Sequence, residues 1–449
     1  MNRGVPPELD GPALVLGLGV TGRAVARALR ARNVEVVVVD DRPGPEARRC
    51  ADELGLALVE APDADRLAAV MDGVSSLLPS PGVPERHPAF ALAAAAGVPL
   101  VGELDLAAAW DVRPCLAVTG TNGKTTVTTL VTAMLRASGI VAIDAGNTEV
   151  PLVSAIDDPV PEVFVVEASS FRLAPLRRFR PTAAAWLNFA PDHLDVHLDL
   201  ASYEAAKANL WARAEGDDLA VANADDPVVM AHVPTGARVE TFGLARQGDW
   251  YEDGGTLRGP GGQDVLAVAD LPRTLPHDIA NALAATATAR GGGASLDGAR
   301  AALTSFSGLP HRVTPVGEAD GVTWFDDSKA TAPHATVAAV SSFDSVVLIA
   351  GGRNKGLDLG SLADLVPRLR AVVAIGDAAD EVAAVFEGRI PVVTAGSMGA
   401  AVAAAREAAR PGDTVLLSPG CASFDWYGSY AERGDDFARA VRAELAGAS

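Results

Sequence analysis

Residues 118–126 read VTGTNGKTT, a run rich in Gly and Thr that closes on Lys-Thr. Gly120, Asn122 and Gly123 suit a turn whose N–H groups face one anion, with Lys124 reaching terminal phosphates and the Thr125 hydroxyl offered to Mg²⁺. The run is shorter than the usual G-x-x-x-x-G-K-[ST], since the position five before Gly123 is Val118. The apolar CLAVTG at 115–120 leads into it and TTVTTLVTAMLRA follows, so the segment predicts strand, phosphate loop, helix. ATP is the natural ligand. The plainer alternative is a Thr-rich helix cap with a solvated lysine.

Outward from this loop the chain alternates strand and helix. Downstream, EVFVVEAS (162–169), AAAWLNFA (183–190) and DLAVANAD (218–225) read as strands. Short strands with a DGG turn at 253–255 then occupy roughly 239–275, ahead of the helical NALAATATA at 281–289. Upstream, ALVLGLGVTG (13–22), a helical AVARALRA and VEVVVVDD (34–41) form a strand, glycine turn, helix, strand unit. After HRV at 311–313 come WFDDS, SVVLIAGG, AVVAIGDAA and TVLLSPG, again alternating with helices. The expected fold is α/β in three domains: Rossmann-like over 1–102, P-loop ATPase-like with a parallel sheet over 103–308, and Rossmann-like over 309–449.

Composition narrows the function classes. The 449 residues suffice for two to four domains, each with its own core. A net charge of −20 argues against nucleic acid or an anionic membrane as partner, so phosphate must be met by local positive sites. Cys50, Cys115 and Cys421 are odd in number and lack C-x-x-C spacing, which supports neither a disulfide frame nor a zinc site. No secretion signal or membrane-length apolar run stands out, and the expected location is the cytoplasm.

Candidate residues outside the loop fall into two groups. Gly17, Gly19 and Gly22 make a G-x-G-x-x-G with Asp40 closing the next strand, a pattern that holds a pyrophosphate and a ribose. It could equally be a nicotinamide or flavin site or a tight strand-to-helix turn, but a dehydrogenase has no use for a second phosphate loop. The other group is the lysines. Only four of the 37 Lys and Arg residues are lysines: Lys124, Lys207, Lys329 and Lys355. Where arginine serves generally, a remaining lysine suggests a compact point charge or an amine that must lose its proton. Glu167 ends a strand and His193 lies in NFAPDHLDVH, so a carboxylate and an imidazole could join Thr125 around metal. A strand-end salt bridge and a capped loop histidine are the plainer readings of these two.

Taken together, GTNGKTT, VVEASSFRL, NFAPDHLDVH, YEAAKANLW, HDIANALAA, the HR pair at 311–312, DDSKAT, AGGRNKG and LSPGCASFDWY occur in the order found in the Mur ligases of peptidoglycan synthesis. The resemblance covers essentially the whole chain. GLGVTG with VVDDR, SPGVP at 80–84 and SPGCASFD look most like the members that add D-glutamate to UDP-N-acetylmuramoyl-L-alanine. The resemblance implies a UDP-substrate domain, a central ATP domain and a C-terminal amino-acid domain, working as a monomer. ATP would be held by Gly120, Thr121, Asn122, Gly123, Lys124, Thr125, Thr126, Asn281, Arg312 and Asp327. Thr125 and Glu167 would hold one Mg²⁺, and His193 with a carbamylated Lys207 a second, with Asn147 and His193 near the reacting carboxyl group. Gly19, Thr21, Asp40, Arg42, Ser80 and Gly82 would contact the UDP-substrate. Lys329, Thr331, Lys355, Ser423 and Tyr430 would receive glutamate.

The chain departs from the family pattern at Asp278 and Ala332, where Asn is common, at Tyr430, where Phe is expected, and at GNTE in place of GN-x-G. The first bears on the nucleotide contacts, and the others, at the amino-acid end, leave D- and L-glutamate both open. Two other classes stand beside the ligase: a nicotinamide-dependent dehydrogenase, and a nucleotide-gated binding protein without ligase chemistry. The second is disfavoured by the joint presence of Glu167, His193 and Lys207.

Overall fold

The computed structural model describes residues 7–244 and 248–446. The chain divides into two compact units, Met1–Phe306 and Ser307–Ser449. The first carries two sheets and the second carries one.

The N-terminal sheet contains β1 (Ala13–Leu16), β2 (Val36–Asp40), β3 (Ala57–Glu60) and β4 (Ser76–Pro79), parallel throughout in the order β3-β2-β1-β4. The order reverses between β1 and β4, so the loops after these two strands open a crevice at their carboxyl ends. Ser80, just past β4, donates its Oγ–H to Gly17 O at 2.6 Å and ties those loops together.

The central sheet contains β5 (Cys115–Thr119), β6 (Ala142–Gly146), β7 (Val163–Glu167), β8 (Ala183–Trp186), β9 (Gly216–Asn223), β10 (Ala237–Gly243), β11 (Trp250–Asp253), β12 (Thr256–Gly259) and β13 (Gln263–Ala267). Its order is β13-β12-β11-β10-β9-β8-β5-β7-β6. The sheet is parallel from β6 to β11, as expected, and carries an antiparallel extension in which β11, β12 and β13 pair antiparallel. The cause is the DGG turn: Gly254 and Gly255 have φ of 60° and 78°, the two positive values a two-residue hairpin needs. Strand β8 also stops short of the expected 190, because Asn188 turns to serve the phosphate loop. The helices Lys124–Ala137, Pro276–Gly291 and Leu296–Ser305 cover one face, and a second apolar cluster around Trp186, Phe164 and Trp211 fills the other.

The third sheet contains β14 (Thr314–Ala319), β15 (Val322–Asp326), β16 (Val346–Gly351), β17 (Leu369–Ile375), β18 (Val392–Ala395) and β19 (Thr414–Leu417) in the order β14-β15-β19-β16-β17-β18. All pairs are parallel except β14 with β15. The three cysteines are free thiols. No described helix is long and apolar enough to cross a membrane.

Candidate active site

Parallel pairing gathers the chemistry of the central domain. Val118 on β5 pairs with Glu167 on β7, and Gly146 on β6 pairs with the same residue. The phosphate loop, Asn147 and Glu167 therefore leave neighbouring strands at one end of the sheet. Gly120 and Gly123 take φ of 152° and 84°, values that favour glycine, and Gly123 begins the helix Lys124–Ala137. A Cβ on Gly123 would also lie 2.7 Å from Asn281 Oδ1, so this glycine admits Asn281 to the loop.

The loop is braced by Asn188 and Tyr203, which the sequence does not single out, together with residues that it does. Asn188 accepts from Asn122 N at 2.8 Å through Oδ1 and returns a bond to Asn122 O at 3.2 Å. Thr121 Oγ1 bonds Ala190 N, Ala190 O and the Tyr203 hydroxyl. Lys124 Nζ donates to Gly120 O and Thr121 O at 2.9 and 3.0 Å. Lys207 Nζ, only 1% exposed, donates to the same Gly120 O at 2.8 Å and lies over the Tyr203 ring. Burial first, and then the neighbouring Lys124 charge, press the Lys207 amine well below the ordinary lysine range; Asp192 pulls it back up. Lys207 is thus a buried amine biased toward neutrality and not a solvated helix lysine.

Glu167 is buried, and Asn147 Nδ2 donates to its Oε1 at 2.9 Å. Its other oxygen, Oε2, is buried without a partner. A carboxylate with one bare oxygen beside a phosphate loop suits a cation. His193 sits at φ 56°, with Asp192 at 3.4 Å from its Nε2. Burial lowers its pKa, Asp192 opposes this, and Lys124 and Lys207 lower it further, which favours the neutral ligand form. Among the described residues, no three His, Cys, Asp or Glu side chains cluster as a metal cage. Mg²⁺ ordinarily takes only one or two protein ligands and fills the rest with water and phosphate oxygens.

Beside the loop helix lies a small cleft lined by Thr126, Leu130, Arg273, Asp278, Asn281 and Phe306. Asp278 accepts from Arg273 Nε at 3.1 Å, while its Oδ2 is buried unpartnered.

In the N-terminal crevice, Asp40 accepts from Leu18 N at 2.7 Å and Arg42 N at 2.9 Å, so it shapes the glycine turn as well as facing the crevice. Thr21 accepts from Arg172 Nη2 at 2.8 Å, and Arg172 Nη1 is paired with Glu103. This buried Thr21–Arg172–Glu103 chain was not singled out from sequence. Its only signal was an arginine among apolar residues in SSFRL. Gly19 and Gly82 have open space where a Cβ would stand.

In the second unit, Asp327 accepts from Ser418 Oγ at 2.7 Å and Val313 N at 3.3 Å; burial pushes its carboxyl up to about 7. Arg312 lies in the turn before β14, and its charge opposes that rise. Lys329 Nζ stands 3.8 Å over the Tyr430 ring and Lys355 Nζ 5.4 Å over Phe424, while Ser423 is buried. Thr331 follows Lys329 in the same loop, and Ala332 begins the helix Pro333–Val340 without a side-chain cap.

Comparison with known proteins places this architecture. Residues 12–102 match the MurD-like N-terminal domain of Mur ligases, 118–289 the Mur ligase middle domain, and 311–421 the Mur ligase glutamate ligase domain. Three α/β domains with a phosphate loop in the middle one define an ATP-dependent acid–amino-acid ligase. The chain belongs to the Mur ligase family, whose members use ATP and Mg²⁺. It is 46% identical to the UDP-N-acetylmuramoylalanine--D-glutamate ligase of Frankia casuarinae over 96% of this chain and 94% of that one. It is 40% identical to the protein of that name from Thermobifida fusca over 96% and 98%. Among solved structures it resembles a pseudomurein peptide ligase type C from Methanothermus fervidus, with TM-score 0.60 at 16% identity over 97% and 100% of the two chains. A MurF ligase from Thermotoga maritima in complex with ADP gives TM-score 0.60 at 17% identity over 100% and 99%. At such identities the likeness is one of fold.

Proposed function

We propose that the chain joins D-glutamate to UDP-N-acetylmuramoyl-L-alanine in peptidoglycan precursor synthesis, releasing ADP and phosphate. The observation that carries this reading is the conjunction of a short phosphate loop, a buried Glu167 with one bare oxygen and a buried, neutral-leaning Lys207 in a chain whose N-terminal domain is MurD-like. The full-length relatives are named for D-glutamate, which favours that isomer over L-glutamate.

A carboxylate is a poor acyl donor, so its oxygen first attacks the γ-phosphorus of ATP, giving an acyl phosphate and ADP. The glutamate amine then attacks the acyl carbon, loses a proton and expels phosphate. Both steps crowd negative oxygens, and the chain answers with fixed donors and cations. Loop N–H groups at 120–126 hold the β- and γ-phosphates. Lys124 exchanges its two loop carbonyls for phosphate oxygen. Thr126 and Asn281 face the nucleotide, with Arg312 and Asp327 supplying phosphate and ribose contacts. Asn147 and His193 orient the alanyl carboxylate. Lys329, Thr331, Lys355, Ser423 and Tyr430 receive glutamate, and Gly19, Thr21, Asp40, Arg42, Ser80 and Gly82 the UDP end.

Thr125 and Glu167 would hold one Mg²⁺, and His193 with the carbamate of Lys207 a second; the ions would supply charge neutralisation on the phosphates. Burial of Lys207 supports the carbamate, because CO₂ adds only to a neutral amine, releasing one proton. In this reading the domains run 1–102, 103–308 and 309–449, and the enzyme acts as a cytoplasmic monomer. Phosphate release from ATP, measured with UDP-N-acetylmuramoyl-L-alanine and each of D-glutamate, L-glutamate and other amino acids, tests it. Release is expected with D-glutamate; release with L-glutamate alone, or with none, overturns it.

A further inference from the structure

One buried histidine has no part in the chemistry above. His197 is fully buried, and its two ring nitrogens end on two other segments. Nδ1 lies 2.7 Å from Glu85 Oε1, on the loop that follows β4, and Nε2 lies 2.9 Å from Ser170 Oγ, just past β7. A carboxylate only accepts, so Nδ1 donates to Glu85, and Nε2 pairs with the Ser170 hydroxyl. Further bonds reinforce the junction. Glu85 N donates to Val196 O at 2.9 Å, and Glu85 Oε2 accepts from Leu198 N at 3.0 Å. Arg86 Nη2 donates to Leu194 O and His197 O at 3.0 and 3.1 Å. Phe171 stacks on His197 and meets His193 edge-on, with centroids 5.4 and 4.8 Å away.

The order acid, histidine, serine is that of a hydrolytic triad, yet Ser170 is 2% exposed and its hydroxyl is committed to the imidazole. No substrate reaches it. What the three side chains share is their neighbours along the chain. Glu85 follows Ser80 and Gly82 on one loop, His197 follows His193 on another, and Ser170 follows Glu167 at the end of β7. Their junction is thus the place where the UDP-substrate loop, the histidine loop and the metal-binding strand end are joined.

We propose that the Glu85–His197–Ser170 chain is a positioning device that locks the Ser80–Gly82 loop to the His193 turn and so sets where the UDP-substrate's carboxyl end lies against the phosphate loop. Its consequence for turnover rests on the ligase reading above. Misplacement of a reacting group by about 1 Å costs on the order of a hundredfold in rate, so loss of the lock acts on kcat and on the UDP-substrate KM together.

The test uses the full chain and four variants. Glu85→Ala and His197→Gln break the cross-loop bond, and kcat/KM for the UDP-substrate is expected to fall about tenfold or more, with the ATP KM within about twofold. His197→Asn keeps a donor toward Glu85 and retains most of the activity. The double variant Glu85→Ala/His197→Gln loses less than the sum of the two single ones, because they share the Glu85–His197 bond. Hydrogen exchange reads the lock without turnover: amides of 80–86 exchange faster in His197→Gln, and amides of 194–198 faster in Glu85→Ala. Unchanged exchange in the partner segment overturns the lock. Unchanged kcat/KM in folded variants of an active enzyme overturns its role in positioning. An inactive parent enzyme would instead overturn the ligase reading, and exchange would still decide the lock.

Discussion

At the scale of single residues, Lys207 and Asp327 carry the sharpest consequences. Arginine at 207 keeps a cation and the helix but cannot form a carbamate. Lys207→Arg is expected to lower kcat by about a hundredfold or more while ATP still binds, and added short carboxylic acids are expected to restore part of the rate of Lys207→Ala. Steady-state kinetics beside thermal melting separates this from misfolding; near-normal turnover of the arginine variant contradicts the carbamate. Asp327 titrates in the opposite sense from a paired surface acid. Burial raises its carboxyl from 3.8 to about 7, against the Ser418 and Val313 hydrogen bonds. The folded state then binds more protons than the unfolded one between about pH 4 and about pH 7, so this group's contribution to stability falls as pH rises through that window. The melting-temperature difference between Asp327→Asn and the parent is expected to grow over that range in favour of the variant. A constant difference contradicts it. Residue types in short motifs made Lys124, Glu167, His193 and Lys207 legible from sequence. The burial that distinguishes Lys207 from a solvated lysine was not, because a tertiary environment leaves no local trace.

Elements explain why distant residues meet. Parallel strands deliver their following loops to one end of a sheet, so β5, β6 and β7 bring Gly120, Asn147 and Glu167 together without any local signal joining them. The strand, glycine turn, helix unit after β1 was legible because its pattern is contiguous. The bonds that brace it were not: Arg172 reaches Thr21 across 151 residues and Glu103 across 69. The glycines of that turn divide into two kinds. A Cβ on Gly22 would lie 2.0 Å from Gly17 O and 2.5 Å from Ser80 Oγ, whereas one on Gly19 meets nothing within 4 Å. Gly22→Ala is therefore expected to cost about 1–3 kcal/mol of stability. Gly19→Ala is expected to leave melting unchanged and weaken UDP-substrate binding, because that glycine makes room for a ligand rather than for the fold. Calorimetric melting with titration of the UDP-substrate checks both; destabilisation by Gly19→Ala or full stability of Gly22→Ala reverses the assignment.

Across the whole molecule, three sheets each carry their own apolar layers, and each presents most of its candidate residues beyond the carboxyl ends of parallel strands. Alternation of strand and helix made that plan legible in the sequence. The antiparallel edges at β12, β13 and β14 escaped it, since strand direction depends on which neighbour a segment pairs with. A chain of net charge −20 that takes ATP, a UDP-sugar and glutamate has to meet phosphate and carboxylate with local positive sites. The first unit offers the buried Lys207 and the loop-bound Lys124, and the second the ring-seated Lys329 and Lys355. The central claim is that the alanyl carboxylate is phosphorylated before the amide forms. It is tested most directly by supplying UDP-N-acetylmuramoyl-L-alanine with ¹⁸O in that carboxylate, together with ATP and D-glutamate, and weighing the released phosphate by mass spectrometry. The account predicts one ¹⁸O transferred into each phosphate, and phosphate without label from the carboxylate would contradict it.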